Sequence, residues 1–152
     1  MGNMKTKVQK EFVDTGFGFP ILLLNVPMIR TRGVWTPKID YNALALAVLQ
    51  ALARKPSPLT GNEIQFIRLH FDLTLQQFAK RFDVSHAGVI KWEKAKSHST
   101  NMNWTTEKDL RLFILSELEA APKELASLYG ELQTPQRDRP SPLRLNAMQL
   151  AA

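Results

Sequence analysis

The chain has 152 residues, which is the length of one ordinary domain with short appendages and too short for two large independent domains. Hydrophobic residues form 44% of it and charged residues 22%, a composition that is typical of soluble globular proteins and excludes a fibrous or fully disordered chain. Because there is no cysteine, disulfides, thiolate zinc sites and cysteine nucleophiles are also excluded.

Positive charge is concentrated in the first two thirds of the sequence. The net charge is +6 and the pI is about 9.8. Residues 1–59 carry 8 basic and 3 acidic side chains, residues 60–104 carry 6 and 4, and residues 105–152 carry 6 and 7. This distribution favours a polyanion or an acidic protein as the partner of the first two thirds.

The N-terminal residues predict an arm followed by a hairpin. Residues 1–16 are polar and basic, and we expect a flexible basic arm. Residues 17–35 are rich in β-forming side chains, with a corner expected at the Asn-Val-Pro sequence 25–27, so a short β-hairpin is predicted. Alternation in its second run predicts one face with Ile29, Thr31 and Trp35 and another with Arg30 and Arg32.

The most apolar stretch, residues 16–29, is not predicted to enter a membrane. It is shorter than the roughly 18 to 20 residues that a bilayer-spanning helix needs, and Pro20 and Pro27 interrupt it. It follows Glu11 and Asp14 and lacks a small-residue cleavage pattern, which argues against a signal peptide. A cytoplasmic location and no membrane partner are predicted.

A helix is predicted over residues 41–55. Asp40 is a good N-cap residue, and apolar side chains recur every four positions from Leu44 onward. Pro56 and Pro58 then end the helix, and the segment around them is expected to be a stiff hinge. Residues 17–59 are therefore expected to form a hairpin-plus-helix module that binds a partner or makes a dimer.

Three short helices are predicted to follow. Thr60 with Glu63, and Thr74 with Gln77, each fit the capping box, in which the threonine hydroxyl and the Glu or Gln side chain satisfy each other's backbone amides. Ser85 is the expected cap of the third helix. The predicted helices cover 61–70, 75–82 and 86–94, and the short turn between the last two is typical of a helix-turn-helix.

The C-terminal third predicts one strong helix and a weaker one. Leu110, Phe113, Ile114 and Leu118 form an apolar stripe within residues 105–120. A short amphipathic helix is expected after residue 121. The three prolines that follow residue 133 predict a flexible tail to residue 152.

The segment from Arg68 to Glu93, RLHFDLTLQQFAKRFDVSHAGVIKWE, resembles the helix-turn-helix of the XRE family, which includes Cro and the phage repressors. The resemblance rests on Leu-Thr before the second helix, Phe-Ala inside it, Val-Ser at the start of the third, and the Trp-Glu that closes it. It implies a mainly α fold, in which a five-helix lambda-repressor-like helix-turn-helix domain over residues 60–120 is preceded by a short β-hairpin and a helix. That domain would bind DNA.

Two structural roles follow from the resemblance and the helical periodicity. Arg68 and Glu93 match a buried ion pair that ties the first helix of the family's motif to the end of the third. The core between the three helices is expected to hold Ile64, Leu69, Leu73, Phe78, Ala79, Phe82, Val84, Val89 and Trp92.

The exposed face of the third helix is expected to read DNA. The N-terminal turn of such a helix enters the major groove, so His86, Ala87 and Lys91 would meet base edges. Gly88 would let the backbone come close to DNA. A second set of residues is expected to bind phosphates and give affinity without sequence choice, namely Thr74, Gln76, Ser85, Lys94, Lys96 and Ser97. A palindromic operator read by a homodimer is the expected partner.

The order of a β-rich module, a Pro-Leu-Thr-Gly sequence and a helix-turn-helix also resembles the MqsA type of antitoxin. That family implies a cognate toxin as protein partner and repression of the antitoxin's own operon. Its N-terminal module uses four zinc-binding cysteines, which this chain lacks, and three histidines cannot replace them. No metal and no cofactor are therefore predicted.

The leading hypothesis is a DNA-binding regulator. One alternative is a stand-alone regulator of the phage-repressor kind, and another is a protein-binding module that neutralises a partner without binding DNA. An enzyme is not predicted. Gly16-Phe17-Gly18-Phe19 lacks the third glycine of a dinucleotide loop, and Ser85 and His86 are sequence neighbours, which is poor geometry for a nucleophile and its base.

Overall fold

The computed structural model describes residues 5–152. The described chain divides into two compact units: the residues up to Val48 together with Pro142–Ala152 form the first, and Leu49–Ser141 form the second. Along the described chain the elements are β1 (Thr6–Asp14), β2 (Ile21–Thr31), β3 (Val34–Pro37), α1 (Tyr41–Ala53), α2 (Gly61–His70), α3 (Leu75–Arg81), α4 (His86–Lys94), α5 (Trp104–Glu117), α6 (Pro122–Glu131), β4 (Leu143–Asn146) and a 3-10 helix (Ala147–Leu150).

The expected mainly α fold is wrong. Within residues 5–152 a mixed four-stranded sheet accompanies six α-helices, and the strands come first, so the chain is not a five-helix lambda-repressor-like domain with a hairpin added. Strand β1 occupies most of the segment expected to be a flexible arm. Strand β4 occupies part of the expected flexible tail, which also contains a 3-10 helix.

Strand β2 is the centre of the sheet. It pairs antiparallel with β1 along its length, from Thr6 opposite Ile29 to Asp14 opposite Ile21. The first half of β2 pairs in parallel with β4, and its last residues pair antiparallel with β3. β4 follows β2 by more than a hundred residues in the sequence. Its pairing with β2 therefore joins the N-terminal and C-terminal parts of the first unit.

Asn25 shifts the alternation of β2 by one residue. Before it the buried positions are Ile21 and Leu23, and after it they are Val26 and Met28. Asn25 has φ 54, in the left-handed region that Asn tolerates better than most residues. The expected corner is therefore a local change of face inside one continuous strand. Because of this change, both halves of β2 direct apolar side chains into the core of the first unit.

The hairpin between β2 and β3 turns through Arg32 and Gly33. Both have positive φ, 52 and 80, as a two-residue type I′ turn requires. The turn places Trp35 opposite Arg30, and so on the face opposite to the one expected for it. There the Lys7 ammonium lies 4.4 Å from the centre of the Trp35 ring.

A buried network of charges holds the segment between α1 and α2. Lys55 Nζ donates to both carboxylate oxygens of Glu63, at 2.7 and 2.9 Å. Arg111 is fully buried and donates to the carbonyl oxygens of Ala53, Lys55 and Ser57 and to Glu107. Burial lowers the pKa of Arg111, and the Glu107 carboxylate opposes that shift. The expected hinge is thus fixed by hydrogen bonds from α5.

Most of the residues predicted for the core between α2, α3 and α4 are buried. Leu69 is not: it is 55% exposed, so its assignment to the core is wrong. Leu73 and Val84 are half-buried. The buried positions are Ile64, Phe78, Ala79, Phe82, Val89 and Trp92. The rings of Phe82 and Phe113 meet edge to face at 5.2 Å, which extends this core to α5.

Helix α3 ends with a Schellman turn that contains no glycine. Val84 N–H donates to Ala79 O at 3.0 Å, and Asp83 between them has φ 54. We expect Asp83→Gly to raise the free energy of unfolding by about 0.5–1 kcal/mol, because glycine adopts this conformation without a Cβ penalty. Urea unfolding measures the change.

The matched control is Ser127→Gly, an exposed position inside helix α6. Glycine there should destabilise by about 0.5 kcal/mol through lost helix propensity. Equal destabilisation by both substitutions would contradict the left-handed assignment of Asp83.

Candidate nucleic-acid interface

Helix α4 has one buried and one exposed face. Ser85 caps it, and its Oγ accepts the N–H of Gly88 at 2.9 Å. Val89 and Trp92 are buried on the inner side, whereas His86, Ala87 and Lys91 are exposed. The three residues predicted to read bases are therefore brought together on the solvent-facing side of one short helix.

Gly88 has a reason within the fold. A Cβ placed on it would lie 3.1 Å from Ser85 Oγ, which is closer than most Cβ contacts. The glycine therefore leaves room for the capping hydroxyl. This local requirement accounts for Gly88 without the approach of a DNA backbone that the sequence suggested.

Helix α3 begins with the predicted capping box. Thr74 Oγ1 accepts the N–H of Gln77 at 3.1 Å, and Gln77 Oε1 accepts the N–H of Thr74 at 2.9 Å. Thr74 and Gln76 are both exposed. Since a hydroxyl that accepts a cap hydrogen bond still carries its own hydrogen, Thr74 and Ser85 each retain one donor that can point to solvent.

Arg68 and Glu93 join α2 to the last turn of α4. Arg68 Nη2 lies 2.9 Å from Glu93 Oε1, and Arg68 Nε lies 3.2 and 3.3 Å from the two carboxylate oxygens. Arg68 Nη1 also donates to Leu73 O at 3.0 Å, in the turn before α3. The side chains are only 11% and 10% exposed. One guanidinium therefore fixes the mutual orientation of α2, α3 and α4.

The start of α2 also holds the turn that follows α4. Asn62 N–H donates to Lys96 O at 2.9 Å, and Gly61 N–H donates to His98 O at 3.3 Å. A Cβ on Gly61 would collide with the carbonyl oxygen of Trp92. Lys96 itself has φ 55. The backbone that carries Lys96 and Ser97 is thus fixed, while both side chains are exposed.

Lys94 and Lys96 line one open cleft of about 230 Å³. The same cleft contains Gln65 of α2, an exposed amide that the sequence did not single out. The sequence gives only a weak indication that Gln65 belongs to this site, namely its position three residues before Arg68, on the same side of α2. The other lining residues are Arg68, Leu75, Ile90 and Glu93. Because Glu93 is paired with Arg68, the two lysines dominate the charge at this cleft.

Comparison with protein-family models, with curated proteins and with solved structures found no match to this chain. No helix among residues 5–152 is long and apolar enough to cross a bilayer.

Proposed function

We propose that this chain is a sequence-specific DNA-binding transcriptional regulator whose α3 and α4 act as a helix-turn-helix. The observation that carries the proposal is the exposed face of α4, where His86, Ala87 and Lys91 stand on a helix held rigidly from behind. A helix of about this width fits the major groove of B-DNA. The net charge of +6 supports a polyanionic partner.

His86, Ala87 and Lys91 would each contact a different kind of group on the base edges. Lys91 donates hydrogen bonds, and guanine offers two acceptors in the major groove. His86 donates or accepts at a purine edge, and Ala87 packs on a thymine methyl group. Ala87 and Lys91 are four residues apart and lie on one stripe of α4, so they would contact neighbouring base pairs.

Phosphate contacts would surround this helix. Lys94 and Lys96 provide charge at the end of α4, and Gln65 adds a neutral donor beside them. Thr74, Gln76, Ser85 and Ser97 supply uncharged donors on exposed backbone turns and helix starts. Contacts of this kind set the register of the protein on the duplex and carry no direct sequence information.

The regulator is proposed to act in the cytoplasm on a palindromic operator, as a homodimer, because one short helix reads only a few base pairs. Repression of its own promoter is the form of regulation proposed. The narrower role of antitoxin adds a cognate toxin as protein partner. Co-purification of this chain with the product of the neighbouring reading frame tests that role separately from DNA binding.

Footprinting of the full chain on its own promoter tests the proposal directly. We expect protection of a palindromic site, at a protein concentration well below that needed to protect unrelated DNA. Equal protection of unrelated DNA at every salt concentration would contradict sequence-specific regulation.

Lys96→Ala is expected to weaken binding to all DNA sequences alike. Loss of one phosphate contact should reduce the slope of log K against log salt by about 0.9 for each subunit bound. A gel-shift salt series on the protected site and on unrelated DNA measures the slope. Lys123→Ala, at an exposed lysine of α6, is the matched control and should leave the slope unchanged. A Lys96→Ala slope equal to that of the native chain would remove Lys96 from the interface.

A further inference from the structure

The sheet of the first unit has an apolar face directed at solvent. Core-facing positions of β2 are Ile21 and Leu23 before the shift at Asn25, and Val26 and Met28 after it. The alternate positions and the residues opposite them form the second face, which we call the outer sheet face. Its apolar members are Val8, Val13, Leu22, Leu24, Pro27, Ile29 and Val34.

This composition is unusual for a face in water. Antiparallel sheets with one solvated face normally alternate apolar residues inside with polar residues outside. Here Val8 and Val13 are each 57% exposed, and Val34 is 59% exposed. Val13 stands opposite Leu22, and Val8 stands opposite Pro27, so each of these exposed valines has a half-buried apolar neighbour across the strands. A contiguous patch of this kind marks an interaction surface.

The outer sheet face has the dimensions of the central part of a dimer interface. Nine residues of β1 make it about 30 Å long, and three adjacent strand positions make it about 14 Å wide. Its projected area is on the order of 400 Å², about half of the roughly 800 Å² that each partner contributes to a standard interface. Two sheets of this size pack face to face about 10 Å apart in sandwiches.

The charges on the outer sheet face complement a second copy of the same face. Glu11 on β1 stands opposite Leu24, and Arg144 on β4 stands opposite Leu22, so both belong to this face and lie at its two lateral edges. Both are exposed, and neither forms an ion pair within residues 5–152. A two-fold axis parallel to the strands would bring each edge over the opposite edge of the partner. Glu11 of one copy would then face Arg144 of the other.

We propose that the outer sheet face is the homodimer interface of this protein, with two Glu11–Arg144 pairs between copies. Glu11 and Arg144 give the two lateral edges of this face opposite charges, which favours a second copy over a strongly charged partner such as nucleic acid. The interface goes beyond the proposed function, since it requires no DNA. It would also supply the two-fold symmetry that a palindromic operator demands.

Charge reversal on the full chain tests the interface, with sedimentation equilibrium as the measurement. The native chain is expected to dimerise. Glu11→Arg places like charges together twice per dimer, and so does Arg144→Glu, so each should raise the dimer dissociation constant at least about tenfold. The double variant Glu11→Arg/Arg144→Glu restores opposite charges and should recover most of the affinity.

Apolar substitutions provide the second arm. Val13→Lys should make the chain monomeric, while Leu46→Lys, at an exposed leucine of α1, should leave the dimer intact. Circular dichroism verifies that each variant is folded. A monomeric native chain, a dimer insensitive to Val13→Lys, or a double variant that fails to recover would each overturn the proposal. A dimer without operator binding would contradict the proposed function alone, and operator binding by a dimer insensitive to these changes would contradict the interface alone.

Discussion

Arg111→Met is expected to lower the free energy of unfolding by about 3–5 kcal/mol, the cost typical of breaking a buried ion pair from one side. The guanidinium is fully buried, and its loss leaves the Glu107 carboxylate without its cation. The carbonyl oxygens of Lys55 and Ser57 lose a donor as well. Since a domain is stable by only about 5–15 kcal/mol, thermal and urea unfolding should reveal a severely destabilised protein.

Arg54→Met is the matched control for this prediction. Arg54 pairs with Glu131 at 2.7 Å, but the two side chains are 37% and 47% exposed, so its loss should cost less than about 1 kcal/mol. The double variant Arg111→Met/Glu107→Gln should regain part of the stability, because it leaves no unpaired carboxylate. Equal melting temperatures of the Arg54 and Arg111 variants would show that burial of Arg111 contributes nothing.

The Arg111 network explains how a proline-containing segment can be rigid. Glu107 Oε1 accepts the N–H of Leu59 at 3.0 Å, and Glu63 Oε1 accepts the N–H of Thr60 at 2.8 Å. The chain from Ala53 to Thr60 is thus bound at successive backbone groups by side chains of α2 and α5. Its last residue, Thr60, is also the N-cap of α2, so the network fixes the helix that carries Arg68.

Local chemistry explains why the helix starts could be predicted. A capping box needs only residues three positions apart, so Thr60 and Thr74 reveal the starts of α2 and α3 within a few letters of sequence. Asp40 likewise accepts the N–H of Asn42 at 2.9 Å, as expected for the cap of α1. These interactions depend on no distant part of the chain, and for that reason sequence reasoning finds them.

The sheet could not be predicted in the same way. β1 is an edge strand in which six of the nine residues are exposed, and its apolar residues Val8, Phe12 and Val13 follow no two-residue alternation. β4 has four residues and owes its strand conformation to parallel pairing with β2. The prediction that Leu69 lies in the core was wrong for a related reason, because helical periodicity alone does not show which side of α2 packs against another helix. Each of these features is decided by long-range packing.

The candidate DNA-binding surface combines both kinds of information. The position of Ser85 predicts where α4 begins, and hence that His86 and Ala87 lie in its first turn. The cleft that joins Gln65 to Lys94 and Lys96 depends on how α2 packs against α4. The sequence pattern alone does not predict how these two helices pack. The one long-range contact expected between them, the ion pair of Arg68 with Glu93, came from the family resemblance.

Lys91→Ala is expected to remove discrimination at one base pair of the operator. A lysine that donates to guanine is worth about 1–3 kcal/mol against the wrong base, so the preference at that position should fall by roughly 5- to 150-fold. Lys91 is exposed and alanine is the best helix former, so α4 should keep its stability. Competition gel shifts with every single-base variant of the footprinted site measure the effect position by position.

Lys94→Ala is the matched control, because Lys94 is also an exposed lysine of α4 and lies one turn further along the helix. As a phosphate contact it should weaken all sites by a similar factor and leave the order of preference unchanged. The two variants therefore separate base reading from charge. If Lys91→Ala keeps the full preference at every base pair, or if the two variants change the preferences alike, α4 does not enter the major groove by its exposed face.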